Sequence, residues 1–426
     1  MLEIQKIRQD SEQLGQRLLT KGVADAPETL GQILTLDGRR REILTELEQL
    51  RAQMNKTAKS IGQLMKEGKK EEAEVAKATT SQAKSRMKEL EQEQASTEAA
   101  LEEAMVSLPN VPHESVPEGK SPDDNAVVFQ NDVRIKFDFE AQPHWELARK
   151  HDIIDWELGV KVTGAGFPVY KGQGASLQRA LISFFLDRAR AAGYTEIMPP
   201  LMVNAASGFG TGQLPDKDGQ MYHVTKDELY LIPTAEVPIT NLYRGDIVDR
   251  ASLPIKNCGY TPCFRREAGS YGKHVKGLNR LHQFDKVELV QITHPDHSYE
   301  TLEEMTSYVE GLLTDLELPF RRLLLCTGDM SFTSAKTYDL EVYSAAQERW
   351  LEVSSVSNFE TYQTNRLKLR FRGEDKKTQL AHSLNGSALA LPRIVAALLE
   401  NHQEADGRIR IPTLLQPYTR FTHIGE

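Results

Sequence analysis

Residues 258–288 read CGYTPCFRREAGSYGKHVKGLNRLHQFDKVE. Two β-prone runs flank a polar loop. The first ends in Phe264-Arg265-Arg266-Glu267; the second opens with His282-Gln283-Phe284 and continues as DKVELV. A guanidinium can hold a phosphate oxygen in bidentate fashion, a carboxylate can accept from an exocyclic amine, and an aromatic ring can stack on a purine. Taken alone, Arg265 and Glu267 also fit an ordinary i,i+2 pair on one strand face. The chain has neither GxxxxGK[ST] nor a GxGxxG after a strand, so the usual glycine-rich phosphate cradles are missing. If a nucleotide is handled here, charged side chains on a sheet hold it.

Outward from this segment, helix and strand patterns mix. SLQRALISFFLDRARAAG at 176–193 reads as an amphipathic helix, with Leu177, Leu181, Phe184 and Phe185 apolar, Ser176 as N-cap and Gly193 as stop. The runs TEIMPPLMV, ELYLIP, KVELVQIT, RRLLLC and YDLEVY are β-prone. They follow no βαβα rhythm, which favours an α+β domain on a mainly antiparallel sheet. Upstream, LPNVPHESVPEGKSPDD at 108–124 holds four prolines, which cannot continue a helix. It divides the chain into an N-terminal domain, 1–108, and a larger domain, 109–426.

Residues 30–108 contain no proline and no aromatic residue. Two tracks with steps alternating four and three run through them, one from Leu36 to Leu64 and one from Ala73 to Leu108. That is the period of a coiled-coil seam. Lys66-Glu67-Gly68-Lys69 is short enough to reverse the chain, so the arms pack antiparallel as a hairpin roughly 50 Å long. Arg40, Thr57, Thr80, Gln94 and Thr97 fall on the seam, which predicts modest stability. Residues 51–88, around the turn, carry ten Lys/Arg and four Asp/Glu, whereas 30–50 and 89–107 together carry three Arg and ten Asp/Glu. A solvated coiled-coil face normally mixes signs along its length. This segregation puts a positive tip on a chain of net charge −9 and points to a polyanion there.

That net charge excludes a whole-chain basic footprint for nucleic acid. The three cysteines are odd in number, and Cys258 and Cys263 have no accompanying His cluster, so neither a disulfide scaffold nor zinc is expected. No apolar run is long enough for a membrane span, and the N-terminus MLEIQKIRQDSEQLG lacks a secretory apolar stretch. The reading is a cytoplasmic protein with reduced thiols.

The strand–loop–strand layout of about 258–290 strongly resembles motif 2 of the class II aminoacyl-tRNA synthetases. Two companion motifs stand in the same order. Residues 176–200, a helix and strand closing at Pro199-Pro200, resemble motif 1, and LNGSALALPRIVAALLENHQ at 384–403 resembles motif 3. Within the class, PTAEVPITNLY at 233–243, LEVSSVSNFETYQTNRLKLRFR at 351–372 and LNGSALA at 384–390 are similar to the seryl-tRNA synthetase family, as is the N-terminal hairpin. The resemblance spans essentially the whole chain. It implies a class II antiparallel-sheet catalytic domain behind a tRNA-binding coiled-coil hairpin. It also implies activation of L-serine with ATP and transfer to the 3′ end of tRNA-Ser, with selenocysteine tRNA as a second acceptor where the organism has one. Mg²⁺ as cofactor and a homodimer joined through motif 1 are implied as well.

Carried over residue by residue, the resemblance assigns Thr234-Ala235-Glu236, Glu288, Asn385 and Ser387 to serine. Arg265-Arg266-Glu267 matches the ATP stretch, with Arg265 on the α-phosphate, Glu267 reading adenine and Phe284 stacking on it. Glu352-Val353-Ser354-Ser355 matches the ATP and Mg²⁺ segment, with Glu352 and Ser355 as metal ligands. Arg393 matches the arginine that holds the γ-phosphate. Bland readings stand beside these: Thr234 as a helix cap, Glu236 at a helix N-terminus, Glu288 as a paired structural carboxylate, Ser387 as a small residue at a tight approach. The chain departs from the pattern at Ala388 and Ala390, where glycine is more common, and at Pro392, which a first helical turn tolerates. The cysteine ligands of the family's zinc-using branch are not evident. An amino acid:carrier protein ligase is a rival, but such relatives lack a full hairpin. A dead synthetase scaffold predicts decay of motifs 2 and 3, and a plain coiled-coil interaction protein leaves the chemistry-bearing segments unexplained.

Overall fold

The computed structural model describes residues 1–267 and 276–425. The glycine-, lysine- and histidine-rich part of the motif 2 loop, 268–275, lies outside the described residues. The chain separates into two compact units, Met1–Pro109 and Asn110–Glu426.

In the first unit, α1 (Ile4–Thr20) precedes two long helices, α2 (Ala26–Lys66) and α3 (Lys70–Ser107), which pair along their length. The reversal falls within 67–69, where the sequence placed it. The apolar seam is concentrated at one end: Ile43, Leu47 and Leu90 are buried, with Leu50 and Met87 packed against them. Within 51–88 only Ala73 and Ala83 are buried hydrophobics; the seam residues Met54, Ile61 and Leu64 stay partly exposed. Arg40 sits on the seam for a reason the heptad pattern did not disclose. Asp37, fully buried one turn earlier, accepts from Arg8 of α1 through Nε and Nη2, both at 2.7 Å, and from Arg40 at 3.1 Å. The Arg8 guanidinium first, then Arg40, hold the Asp37 carboxyl below its usual range against the effect of burial.

The second unit is built on an eight-stranded sheet. In chain order its strands are β1 (Ala126–Gln130), β2 (Thr195–Glu196), β3 (Ile255–Phe264), β4 (Gln283–Thr293), β5 (Phe320–Leu324), β6 (Lys336–Ser344), β7 (Arg349–Asn358) and β8 (His382–Ala390). Their spatial order is β1-β5-β6-β7-β8-β4-β3-β2. Every neighbouring pair is antiparallel except β2–β3, as the α+β reading required. The helices that matter to the site are α4 (Gly172–Ala191), α5 (Glu236–Asn241), α6 (Ser298–Asp315), α7 (Tyr362–Leu367) and α8 (Leu391–Asn401). The main core lies between one sheet face and α4, α6 and α8, where Leu181, Phe185, Val309 and Ile394 meet Val287, Leu289 and Val353. On the other face, Ala235 and Ile239 of the α5 region and Leu367 of α7 cover Val290 and Ile292. Side chains alternate along a strand, so Lys286 and Glu288, which pair with each other, point to this second face.

Two expectations need correction. α4 begins at Gly172, so Ser176 lies inside the helix and does not cap it. Two glycines and no side-chain cap conceal that first turn, and it is fixed by packing: a Cβ at Gly174 would collide with the Ile153 carbonyl. The strand expected in TEIMPPLMV is broken by its prolines into Thr195–Glu196 and Met202–Asn204. Among the described residues, no helix is long and apolar enough to cross a membrane.

The uneven seam predicts uneven protection. In hydrogen–deuterium exchange, amides of 55–85 should exchange faster than those of 40–50 and 88–100, since few buried apolar contacts hold the tip half closed. Uniform protection along the hairpin would contradict this.

Candidate active site

Glu288 lies in the middle of β4, opposite Gly259 of β3 and Ser387 of β8. It is 1% exposed. The Lys286 ammonium, two residues along the same face, forms an ion pair with its Oε2. Thr234 Oγ1 donates to the same oxygen at 3.1 Å. Thr234 Oγ1 also accepts from the Glu236 backbone N–H at 3.2 Å, so this hydroxyl links the first residue of α5 to Glu288; the N-cap position is Ala235, without a side-chain cap, so Thr234 is not the helix cap. Ala235 sits buried between them. Ser387 and Asn385 are two apart on β8 and share a face; Ser387 faces Glu288 across the ladder.

Glu236 is buried behind this pair. Gln363 Nε2 of α7 donates to its Oε1 at 2.6 Å. Gln363 is itself fixed, donating to the Thr211 carbonyl at 3.1 Å and accepting from Ser383 Oγ at 2.7 Å. Burial, then the charge of Glu288, pushes the Glu236 carboxyl up to about 7, against the opposing pull of Gln363, Lys286 and Arg265.

The arginines occupy the ends of the strands. Arg265, just past β3, donates from Nε to the Pro233 carbonyl at 3.3 Å, and its guanidinium lies 5.2 Å from the Phe284 ring centroid. Arg266 is exposed and its backbone N–H bonds the Gln220 carbonyl. Glu267, at φ +48°, accepts from Arg280 Nη1 at 2.7 Å. Arg393 stands in the first turn of α8 directly after Pro392, which the helix accommodates. It donates from Nε to the Asn279 carbonyl at 3.1 Å and from Nη1 to the Glu352 carbonyl at 2.7 Å.

Glu352 and Ser355 are three residues apart, a spacing that puts strand side chains on opposite faces. A register shift between Leu340 and Glu341 removes the conflict: Asp339 pairs with Ser355 and Glu341 with Glu352, leaving Val353 as the extra residue. Asp339, Glu341, Glu352 and Ser355 therefore share one face. Val353 points into the main core, and the Ser354 hydroxyl donates to the Ser387 carbonyl at 2.6 Å, so any contact of these two with a ligand falls to the main chain. Glu341 is paired with Arg321 at 2.6 Å. Asp339 is the exception: its Oδ1 is buried without a hydrogen-bond partner. Burial, then the charge of Glu352, holds its carboxyl well above the usual range. A hard cation beside these oxygens would offset that charge, and carboxylate plus hydroxyl oxygens are a suitable donor set for Mg²⁺.

The sequence reading passed over Asp339, Gln363, Arg280 and Lys286. Asp339 left a signal in YDLEVY, where Asp339 and Glu341 alternate with Leu340 and Val342. Gln363 left none, because its partners come from α5 and β8.

An antiparallel sheet carrying paired carboxylates and arginines at its strand ends, followed by a helix that opens on an arginine, defines the class II aminoacyl-tRNA synthetase core. Residues 222–402 match the family model of the class II tRNA synthetase core domain (G, H, P, S and T), and residues 1–112 match that of the seryl-tRNA synthetase N-terminal domain. The chain is 53% identical to the serine–tRNA ligase of Salinibacter ruber over all of this chain and 99% of the relative, and 45% identical to that of Solibacter usitatus over 98% and 97%. It superposes on the seryl-tRNA synthetase of Pyrococcus horikoshii, solved with ATP, with a TM-score of 0.94 at 35% identity, covering 100% and 99% of the two chains. The chain belongs to the seryl-tRNA synthetase family, ligases whose reaction is amino acid activation followed by tRNA charging.

Because Lys286 and Glu288 are both buried, removing one partner strands the other. Lys286→Met should destabilise the protein by about 3–5 kcal/mol in urea unfolding, and Lys286→Met with Glu288→Gln should recover most of that loss. Equal stability of the single and double variants would show that the pair is not coupled.

Proposed function

We propose that this chain activates L-serine with ATP to seryl-adenylate and pyrophosphate, then transfers serine to the 3′ end of tRNA-Ser, and to selenocysteine tRNA where one is present. The observation that carries this reading is the placement of Thr234, Glu288 and Ser387 around one point of the sheet, with Arg265 beside it. A site built of buried hydrogen-bonding groups accepts a small hydroxyl side chain and rejects alanine, whose methyl group would leave them unpaired.

The serine carboxylate attacks the α-phosphorus of ATP. It is already ionised, so no general base is needed. Negative charge spreads over the phosphate oxygens as pyrophosphate leaves; Arg265 at the α-phosphate and Arg393 at the γ-phosphate stabilise it from fixed positions. Phe284 and Glu267 hold the adenine. Glu236, Glu288 and Thr234 bind the substrate ammonium and hydroxyl, with Asn385 at the same pocket. Glu352 and Ser355, beside the uncompensated Asp339, would hold Mg²⁺, which when bound neutralises phosphate charge. The hairpin's basic tip takes the tRNA backbone. A homodimer through motif 1 accounts for exposed Met198, Leu201 and Met202 beside the sheet's edge strand β2. We assign the protein to the cytoplasm.

ATP–pyrophosphate exchange tests the reading with serine, threonine, alanine and glycine side by side. Exchange should occur with serine and fall about 100-fold or more in Arg265→Ala. No exchange from folded protein that still binds tRNA would overturn it. Replacing Lys56, Lys59, Lys69 and Lys70 with Glu should reduce tRNA charging while leaving exchange intact; equal loss of both would refute the role of the tip. Glu236 carries its charge only above about pH 7. kcat/KM for serine should therefore rise with pH through about 7 and then level, and Glu236→Gln should remove the rising limb. A value that falls through pH 7 would refute the role given to Glu236.

A further inference from the structure

A second network of buried polar groups lies at the far end of α8, away from the residues assigned above. Glu400 and His144 are both fully buried. The Glu400 carboxylate accepts from the His144 backbone N–H at 2.9 Å, from His144 Nδ1 at 2.6 Å, from Gln347 Nε2 at 3.0 Å and from the Ser344 hydroxyl. On the other side of the ring, the Leu278 backbone N–H donates to His144 Nε2 at 2.8 Å. A backbone N–H can only donate, so Nε2 carries the lone pair and Nδ1 the proton. Gly277, at φ +70°, meets the imidazole at its Nε2 edge, and a Cβ there would collide with Nε2.

Leu278 belongs to the returning arm of the loop between β3 and β4, and the next residue supplies the carbonyl that receives Arg393 Nε. Arg393 and Glu400 are seven residues apart on α8, two turns, and so share a helix face. The contacts close a ring: Arg393 to Asn279, Leu278 to His144, His144 to Glu400, and Glu400 back along α8 to Arg393. Asn279 is braced a second time, its Nδ2 donating to Gln347 Oε1 at 3.1 Å.

We propose that His144 is a positioning residue for the phosphate end of the ATP site: it fixes the arm 277–279 against α8 and so sets where Arg393 presents its guanidinium. The inference rests on the role given to Arg393 above. His144 touches no substrate and acts through Leu278 and Asn279.

Asn in place of His144 keeps a donor to Glu400 where Nδ1 stood but has no acceptor for Leu278. Gln can place an oxygen where Nε2 stood. In exchange assays on the full-length protein, His144→Asn should raise the KM for ATP about tenfold, the effect of one lost buried hydrogen bond, with the KM for serine unchanged. His144→Gln should restore it to within about threefold of wild type. Gly277→Ala, which pushes the arm off the ring from outside the core, should raise the ATP KM in the same way. In an Arg393→Ala background, His144→Asn should add less than about twofold, because the two act in one chain of contacts. An unchanged ATP KM in both His144→Asn and Gly277→Ala, or a full additive loss on top of Arg393→Ala, overturns the proposal. Absence of exchange in the wild type would instead bring down the functional reading beneath it.

Discussion

The arrangement depends on burying a carboxylate, Glu288, in the middle of an antiparallel ladder. A buried charge is tolerated only when it is paired and hydrogen-bonded. Lys286 supplies the pair from the same strand face and Thr234 supplies a hydroxyl from outside the sheet. Both require β4 to keep its register with β3 and β8. A slip of one residue would turn Glu288 into the apolar core and bring Val287 to the site. The flanking strands prevent this by pairing along almost the whole of β4.

A second constraint follows from strand alternation. Functional residues on one strand must be an even number apart unless the strand is bulged. Lys286 and Glu288 obey that rule, as do Asn385 and Ser387. Glu352 and Ser355 break it, and the extra residue Val353 brings them to one face. The displaced side chain of Val353 joins the main core, so the irregularity that shapes the site also contributes packing. The sheet thus carries two sets of polar groups on one face: hydrogen-bonding groups around Glu288, and the oxygens of Asp339, Glu352 and Ser355.

What could be read beforehand was whatever identity and local spacing encode. The two strands that carry Arg265 and Phe284 near their ends, the arginine opening α8 and the heptad hairpin all have local signatures, and the chain folds them as read. Pairs between distant segments left no such mark. His144 meets Glu400 across 256 positions and Gln363 meets Glu236 across 127, and neither partner is unusual in its own segment. The start of α4 escaped for the same reason, since its first turn is held by contact with Ile153 and not by helix propensity. Arg40 was read as a weak point of the seam because its partner is the buried Asp37, held also by Arg8 of α1, and a heptad count does not see that contact.

The central claim is that the buried Glu288 cluster recognises the serine hydroxyl. It is tested most directly by calorimetric binding of two stable adenylate analogues, seryl- and alanyl-sulfamoyl adenosine, to wild type and Glu288→Gln. The account predicts that wild type prefers the seryl analogue by about 10³-fold or more and that the preference falls to about tenfold in the variant, since the hydroxyl then loses its charged acceptor. A preference that survives Glu288→Gln unchanged in a protein of undiminished stability would contradict it.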